Sequence, residues 1–189
     1  MAKAKAFPVT LTVDYPEDLG RASTFFRGIL IIPAGVILAL VITRLFFPTL
    51  LMILFRRKYP RWWFDWNVAL TKFAARVVSY GALLTDQFPS TEREQSVHIG
   101  IAFPDAAKDL QPGMPLVKWL LAVPHWVLLS VLGAAAGFCV FISWFAILVT
   151  GRFPRGLFDF VVGVGRWALR AGAYAFLLVT DRYPPFSLE

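Results

Sequence analysis

Residues 119–150 read WLLAVPHWVLLSVLGAAAGFCVFISWFAILVT, 32 positions without a single Asp, Glu, Lys or Arg. A helix needs about 20 apolar residues to cross the hydrocarbon of a bilayer, so this run exceeds one crossing. Pro124 explains the excess. A proline tends to end the helix in front of it, which predicts a short interfacial helix over Leu116–Val123 and a spanning helix over His125–Thr150. A second run, Gly28–Phe55, is interrupted only by Arg44 and repeats the plan. There Pro33 separates a short helix over Leu19–Ile32 from a spanning helix over Ala34–Phe55, with Pro48 as a kink. Composition agrees with this reading: of 189 residues, 58% are hydrophobic and 16% charged. Soluble domains average about 45–50% and 25%. A disordered chain is excluded, and the balance is that of an integral membrane protein.

Two more apolar stretches, Trp62–Leu84 and Gly156–Thr180, carry charge. Asp159, Gly163, Arg166 and Arg170 follow one another at spacings of 4, 3 and 4, and Asp65, Ala69, Lys72 and Arg76 do the same. Those spacings put each set on one helical face. The stripe is narrow, which suits a spanning helix whose charges face a bundle interior or a water-filled cleft. Against it stand insertion costs of roughly 2.5–3.5 kcal/mol per central charge. A helix lying in the membrane plane or re-entering it therefore stays open beside the spanning one.

The most specific feature is a duplication. Tyr59-Pro60-Arg61 and Phe64-Asp65-Trp66 return as Phe153-Pro154-Arg155 and Phe158-Asp159-Phe160, at an offset of 94 residues. Arg76 and Tyr80 match Arg170 and Tyr174 at the same offset. Thr85-Asp86-Gln87-Phe88-Pro89 returns as Thr180-Asp181-Arg182-Tyr183-Pro184 at 95, Pro33 as Pro124 at 91, and Tyr15-Pro16 as Phe103-Pro104 at 88. Each unit opens with a strand-like alternation: Val9, Leu11, Val13 in one, Val97, Ile99, Ile101 in the other. A spanning helix, a basic turn and a striped helix follow. The predicted fold is an all-α membrane protein of two tandem helical hairpins, about four membrane helices in total, each preceded by a short β-strand. The first repeat takes residues 1–89, a linker 90–96 and the second repeat 97–189. If both helices of a unit cross, the repeats are parallel and the strands meet on one face; if one crosses, the repeats are inverted.

The Gly-Arg-Phe-Pro-Arg run (Gly151–Arg155), Phe158-Asp159, the ending Thr180–Phe186 and the opening Pro8–Pro16 carry a resemblance. The chain resembles a family of small, duplicated bacterial membrane proteins catalogued as a domain of unknown function. The first unit departs from the pattern with Arg57 where the second has Gly151, and Ser90 where it has Pro185. The resemblance implies a bacterial membrane location and carries no activity with it.

Charge is unevenly placed within a net +7. Arg56, Arg57, Lys58, Arg61, Arg152 and Arg155 crowd the two turns, which the positive-inside rule places in the cytoplasm of a multi-pass protein. Basic turns also attract anionic headgroups, at about 1 kcal/mol per Lys or Arg. Together with Lys72, Arg76, Arg166 and Arg170 they form the candidate site for anionic lipid or for a partner protein. Arg61/Asp65 and Arg155/Asp159 have the i,i+4 spacing of helix-start ion pairs. Gly133 and Gly137 form a GxxxG spacing for close helix packing. With one Cys and two His, a metal site has few ligands to draw on. No nucleophile elbow or phosphate loop is present, so no catalytic residue, cofactor or metal is expected. Nucleic acid is a poor partner for basic residues that flank membrane segments. The expected function is a non-enzymatic accessory subunit of a bacterial cytoplasmic-membrane complex, binding partner helices or anionic lipid. The alternative is a small oligomeric anion or lipid transporter or channel.

Overall fold

In the computed structural model, residues 7–42, 46–56, 58–105, 110–111 and 113–189 are described, apart from the side chains of 42 and 46. Arg44 and Arg57 fall outside them. The two alternating segments become strands β1 (Val9–Val13) and β2 (Val97–Ile101), which pair antiparallel with Val9 opposite Ile101, Leu11 opposite Ile99 and Val13 opposite Val97. At the repeat offset of 88, Val97 is the counterpart of Val9 and Ile101 that of Val13. Each strand therefore meets its own counterpart in reverse. Such a self-complementary pairing requires a local two-fold axis normal to the sheet, through the Leu11–Ile99 pair. Leu11, Val97 and Ile99 are buried, whereas Thr10, Thr12, His98 and Gly100 are exposed. The period-2 alternation thus has one face on the core and one face polar.

The helices are α1 (Arg21–Leu30), α2 (Ile32–Ile42), α3 (Phe46–Arg56), α4 (Arg61–Gly81), α5 (Met114–Leu121), α6 (Val123–Thr150) and α7 (Arg155–Ala175). Pro33 and Pro124 fall at the breaks, as expected, but the breaks are slight. The N–H groups of Ile31 and Gly35 still bond to the carbonyls of Arg27 and Ile31, and those of Ala122 and Trp126 to Lys118 and Ala122. Each proline stands in a first turn, where its missing N–H costs least. The short and long helices therefore run on into one another, in place of separate interfacial and spanning pieces. Arg21–Val41 and Met114–Thr150 are, among the described residues, the two segments long and apolar enough to cross a membrane. That is two, against the four expected. α4 and α7, at 21 residues each, are long enough but carry the charged stripes.

Gly151 ends α6 at φ 77°, ψ 4°. The left-handed cap turns the chain sharply into the basic turn and admits glycine without strain. Gly151→Ala is expected to lower stability by about 1 kcal/mol, read as a lower unfolding midpoint in detergent. An unchanged midpoint would count against a strained cap.

Packing exchanges pieces between the units. β1 packs on α7 and β2 on α4, while α1 packs on α6 and α3 on α5. On α7, Gly165, Arg166 and Leu169 meet the sheet at Leu11 and its neighbours. Val164, Trp167 and Ala171 join Leu129, Ala136 and Ile147 of α6 in one core. At 100° per residue those two sets lie on opposite sides of α7. The layers therefore run sheet, α7, α6.

The only residues of α6 that are buried are His125, Leu129, Ala136, Ser143 and Ile147, a single stripe. Leu132, Cys139, Val140 and Trp144 flank that stripe half-buried, and the far side exposes Val131, Phe138, Phe141, Phe145 and Val149. Such a surface is costly in water and neutral in hydrocarbon. A Cβ added at Gly133 or Gly137 would meet nothing within 4 Å. Neither glycine therefore makes a close helix contact, although Gly137 lines a groove between α1 and α6 with Val140 and Trp144.

Candidate functional site

The ends of the striped helices are built twice over. In the second unit Arg155 lies over the ring of Tyr15 at 4.3 Å, and Tyr15 stands edge-on to Phe158 at 4.9 Å. In the first unit Arg61 lies over Phe103 at 4.8 Å, and Phe103 stands edge-on to Phe64 at 5.0 Å. Each turn thus stacks on the aromatic that follows the other unit's strand. The helix-start ion pairs form, Arg61–Asp65 at 3.1 Å and Arg155–Asp159 at 3.6 Å. Both are more than half exposed, so neither contributes more than about 1 kcal/mol. Arg152 reaches within 3.8 Å of Asp18. Arg56 and Lys58 are exposed, with no ion pair among the described residues.

The two turns are far apart. One opens α7, through Pro154 and Arg155. The other lies beyond the far end of α7, where the Tyr59 hydroxyl donates to the Leu177 carbonyl at 3.2 Å. Burial there pushes the Tyr59 phenol well up from its ordinary range. α7 has 21 residues, so the turns are separated by about 30 Å. If α7 crossed a bilayer, its ends would put the two turns on opposite surfaces. The expectation that both turns face the cytoplasm as tips of two crossing hairpins does not fit this geometry. The strand exchange, invisible in either repeat alone, causes it.

The stripes are turned inward. Arg166 donates to the Leu11 carbonyl through Nε and to the Leu188 carbonyl through Nη1, each at 3.0 Å. Arg170 donates to the Ser187 carbonyl, and Arg76 to the Ser90 carbonyl. Lys72 is exposed. Three of the four stripe cations therefore hold down a strand, the linker or the tail. At Gly163, on the same face, an added Cβ would meet Leu188 at 3.0 Å and its carbonyl at 3.1 Å. Gly163→Val is expected to lift the C-terminal tail and free Arg166 and Arg170 of their acceptors. Carboxypeptidase trimming followed by mass should then remove the tail faster than in the parent chain; equal rates would refute the contact.

A second duplicated device was only half legible. The Thr-Asp landmarks close each unit on its own short helix. Arg27 donates to the Thr85 carbonyl at 2.7 Å and pairs with Asp86, which also accepts from the Gly20 N–H. Lys118 donates to the Thr180 carbonyl at 2.8 Å and lies 2.6 Å from Asp181, which accepts from the Gln111 N–H at 2.7 Å. The Arg27 guanidinium lies 4.1 Å from the Tyr80 ring centre and the Lys118 ammonium 5.3 Å from that of Tyr174. In each unit the Thr hydroxyl accepts from the N–H two residues on, at 3.2 Å from Gln87 and 3.1 Å from Arg182. Arg27 and Lys118 were missed because neither interrupts an apolar run unusually. Their signal was an offset of 91, the one shared by Pro33 and Pro124.

The units also differ in the core behind Pro33 and Pro124. In the second, buried His125 accepts from the Trp167 indole at 2.9 Å and stacks on Phe186 at 4.1 Å. The first unit has Ala34 and Phe73 at the corresponding positions. There a groove of about 1160 Å³ opens between α2, α4 and the linker, walled by Ile37, Trp66 and Leu70 and rimmed by Glu92, Arg93 and Glu94. Among the described residues no three His, Cys, Asp or Glu side chains gather to hold a metal.

These features define a class: a helical protein duplicated about a strand pair, with two segments long and apolar enough to cross a membrane. The model of a family described as Domain of unknown function (DUF4389) matches residues 21–91 and 115–187, one segment in each unit. The chain belongs to that family. No curated protein and no solved structure matches it.

Proposed function

We propose that this is a non-enzymatic binding protein of a bacterial cytoplasmic membrane. It serves as an accessory subunit that meets partner helices through the bare sides of α6 and gathers anionic lipid at its basic turns. The observation that carries this reading is the pairing of an apolar surface open on the far side of α6 with exposed cations, Arg56, Lys58, Arg61, Arg152 and Arg155, at the ends of the striped helices. Hydrocarbon favours the first and headgroup phosphates the second. The groove beside α2 has apolar walls and exceeds the roughly 300–1,000 Å³ of small-molecule pockets, room for an acyl chain. The transport alternative draws less support, because Arg76, Arg166 and Arg170 already spend donors on carbonyls of the chain.

Native mass spectrometry of the protein, extracted gently from its own membrane, tests the proposal. A stoichiometric larger assembly, or retained anionic lipid, supports it. A bare chain with neither refutes it.

A further inference from the structure

We propose that the protein lies flat in one leaflet, with the strand pair on the aqueous side and α6 sunk among the acyl chains. The docking surface is the apolar underside, and its occupant is a single leaflet of an anionic bilayer. The proposal rests on the membrane residence argued above and decides how that residence is arranged.

Three observations lead to it. The strand pair crosses α7 at mid-length, since Leu11 contacts Gly165 and Arg166, the eleventh and twelfth of 21 helix residues. If α7 crossed the bilayer, the sheet would stand at the midplane. Its outer face carries exposed Thr10, Thr12 and His98, and His98 pairs with Asp14 at 3.0 Å where both side chains are more than half exposed. A two-stranded sheet also has two open edges, and hydrocarbon cannot satisfy their backbone groups. The sheet belongs in water.

The sheet and α6 lie on opposite sides of α7, so wetting the sheet directs α6 toward the membrane. The two-fold axis normal to the sheet then coincides with the membrane normal. That puts both basic turns at one depth and on one side, about 30 Å apart at the two ends of α7. Their cations, Arg56, Lys58, Arg61, Arg152 and Arg155, then border the apolar underside at the level of headgroup phosphates, which supplies the charge complementarity for an anionic leaflet. Dimensions agree. A helix with its side chains is about 10–12 Å thick, and one leaflet offers about 15 Å of hydrocarbon. The α6 layer fits within it.

Single cysteines at Thr12, Lys58 and Arg152, in a Cys139→Ala background, test this with a membrane-impermeant thiol reagent on sealed vesicles of both orientations. All three are expected to label from one side and to be lost from the other. Turns on one side and Thr12 on the other would show crossing hairpins, and turns on opposite sides would show inverted crossing repeats; either overturns the proposal. Trypsin on vesicles holding the unsubstituted chain repeats the test without variants, with cuts at both turns and at Arg93 expected from one side alone. Neither readout depends on lipid charge or on a partner. A bare chain with neither lipid nor partner in the mass experiment would therefore refute the binding reading and leave the flat arrangement standing.

Discussion

Asp181→Asn is expected to lower the unfolding free energy by about 3–5 kcal/mol, the usual cost of leaving a buried cation without its counter-charge. Lys118 is wholly buried and the Asp181 side chain only 18% exposed, so water cannot easily replace the carboxylate. Asp181 also accepts the Gln111 N–H, and an amide in its place can present the wrong group to that donor. The corresponding Asp86→Asn is expected to cost less, because the Asp86 side chain is 33% exposed to solvent. Replacing both partners, Lys118→Met with Asp181→Leu, removes the unpaired charge but still strands the Thr180 carbonyl. That leaves a deficit of about 1–3 kcal/mol. Equilibrium unfolding in mixed micelles of denaturing and mild detergent checks the series. A single variant no less stable than the double would refute the clasp.

Neutralising the turns should have the second large effect. Each exposed Lys or Arg near an anionic surface contributes about 1 kcal/mol, a factor of about five in affinity. A turn stripped of two or three cations should therefore hold an anionic headgroup about 30- to 150-fold more weakly. The variant carries Arg56→Gln, Lys58→Gln, Arg61→Gln, Arg152→Gln and Arg155→Gln. The preference of a spin-labelled anionic lipid for the protein over its zwitterionic analogue is the readout. It should collapse in the variant, and raising the salt should weaken it in the parent chain. A preference unaffected by the five changes would leave the turns with no lipid role.

Much of the candidate site is visible one repeat at a time. The basic turns, the Arg-x-x-x-Asp pairs and the Thr-Asp exits follow from spacing and duplication, because all act within a few residues of chain. What either end of each contact meets is another matter. Arg155 stacks on Tyr15 and Arg61 on Phe103, across units and more than 40 residues away in sequence. The stripes show the same division. Helical spacing places Arg166 and Arg170 on one face, but no local rule says that the face will be covered by a strand and by the chain's own tail. Sequence spacing reads them as cations available to lipid; tertiary packing turns them to carbonyls.

The sequence by itself determined that the chain is duplicated, that it has segments long and apolar enough to cross a membrane, and where its strands and turns lie. These follow from composition, from periods of 2 and 3.6, and from the recurrence of landmarks. Only the tertiary structure decided how the two copies are joined. Two hairpins could stack side by side; here each strand pairs with its counterpart in reverse, and each short helix packs across the units, α1 on α6 and α5 on α3. The strand pairing buries Leu11, Val97 and Ile99 while keeping the threonines outside. That pairing places the two basic turns at opposite ends of one helix and separates a polar layer from an apolar one. The physical reason is that backbone hydrogen bonds between strands are indifferent to which copy supplies them, so the register is settled by burial across the whole fold.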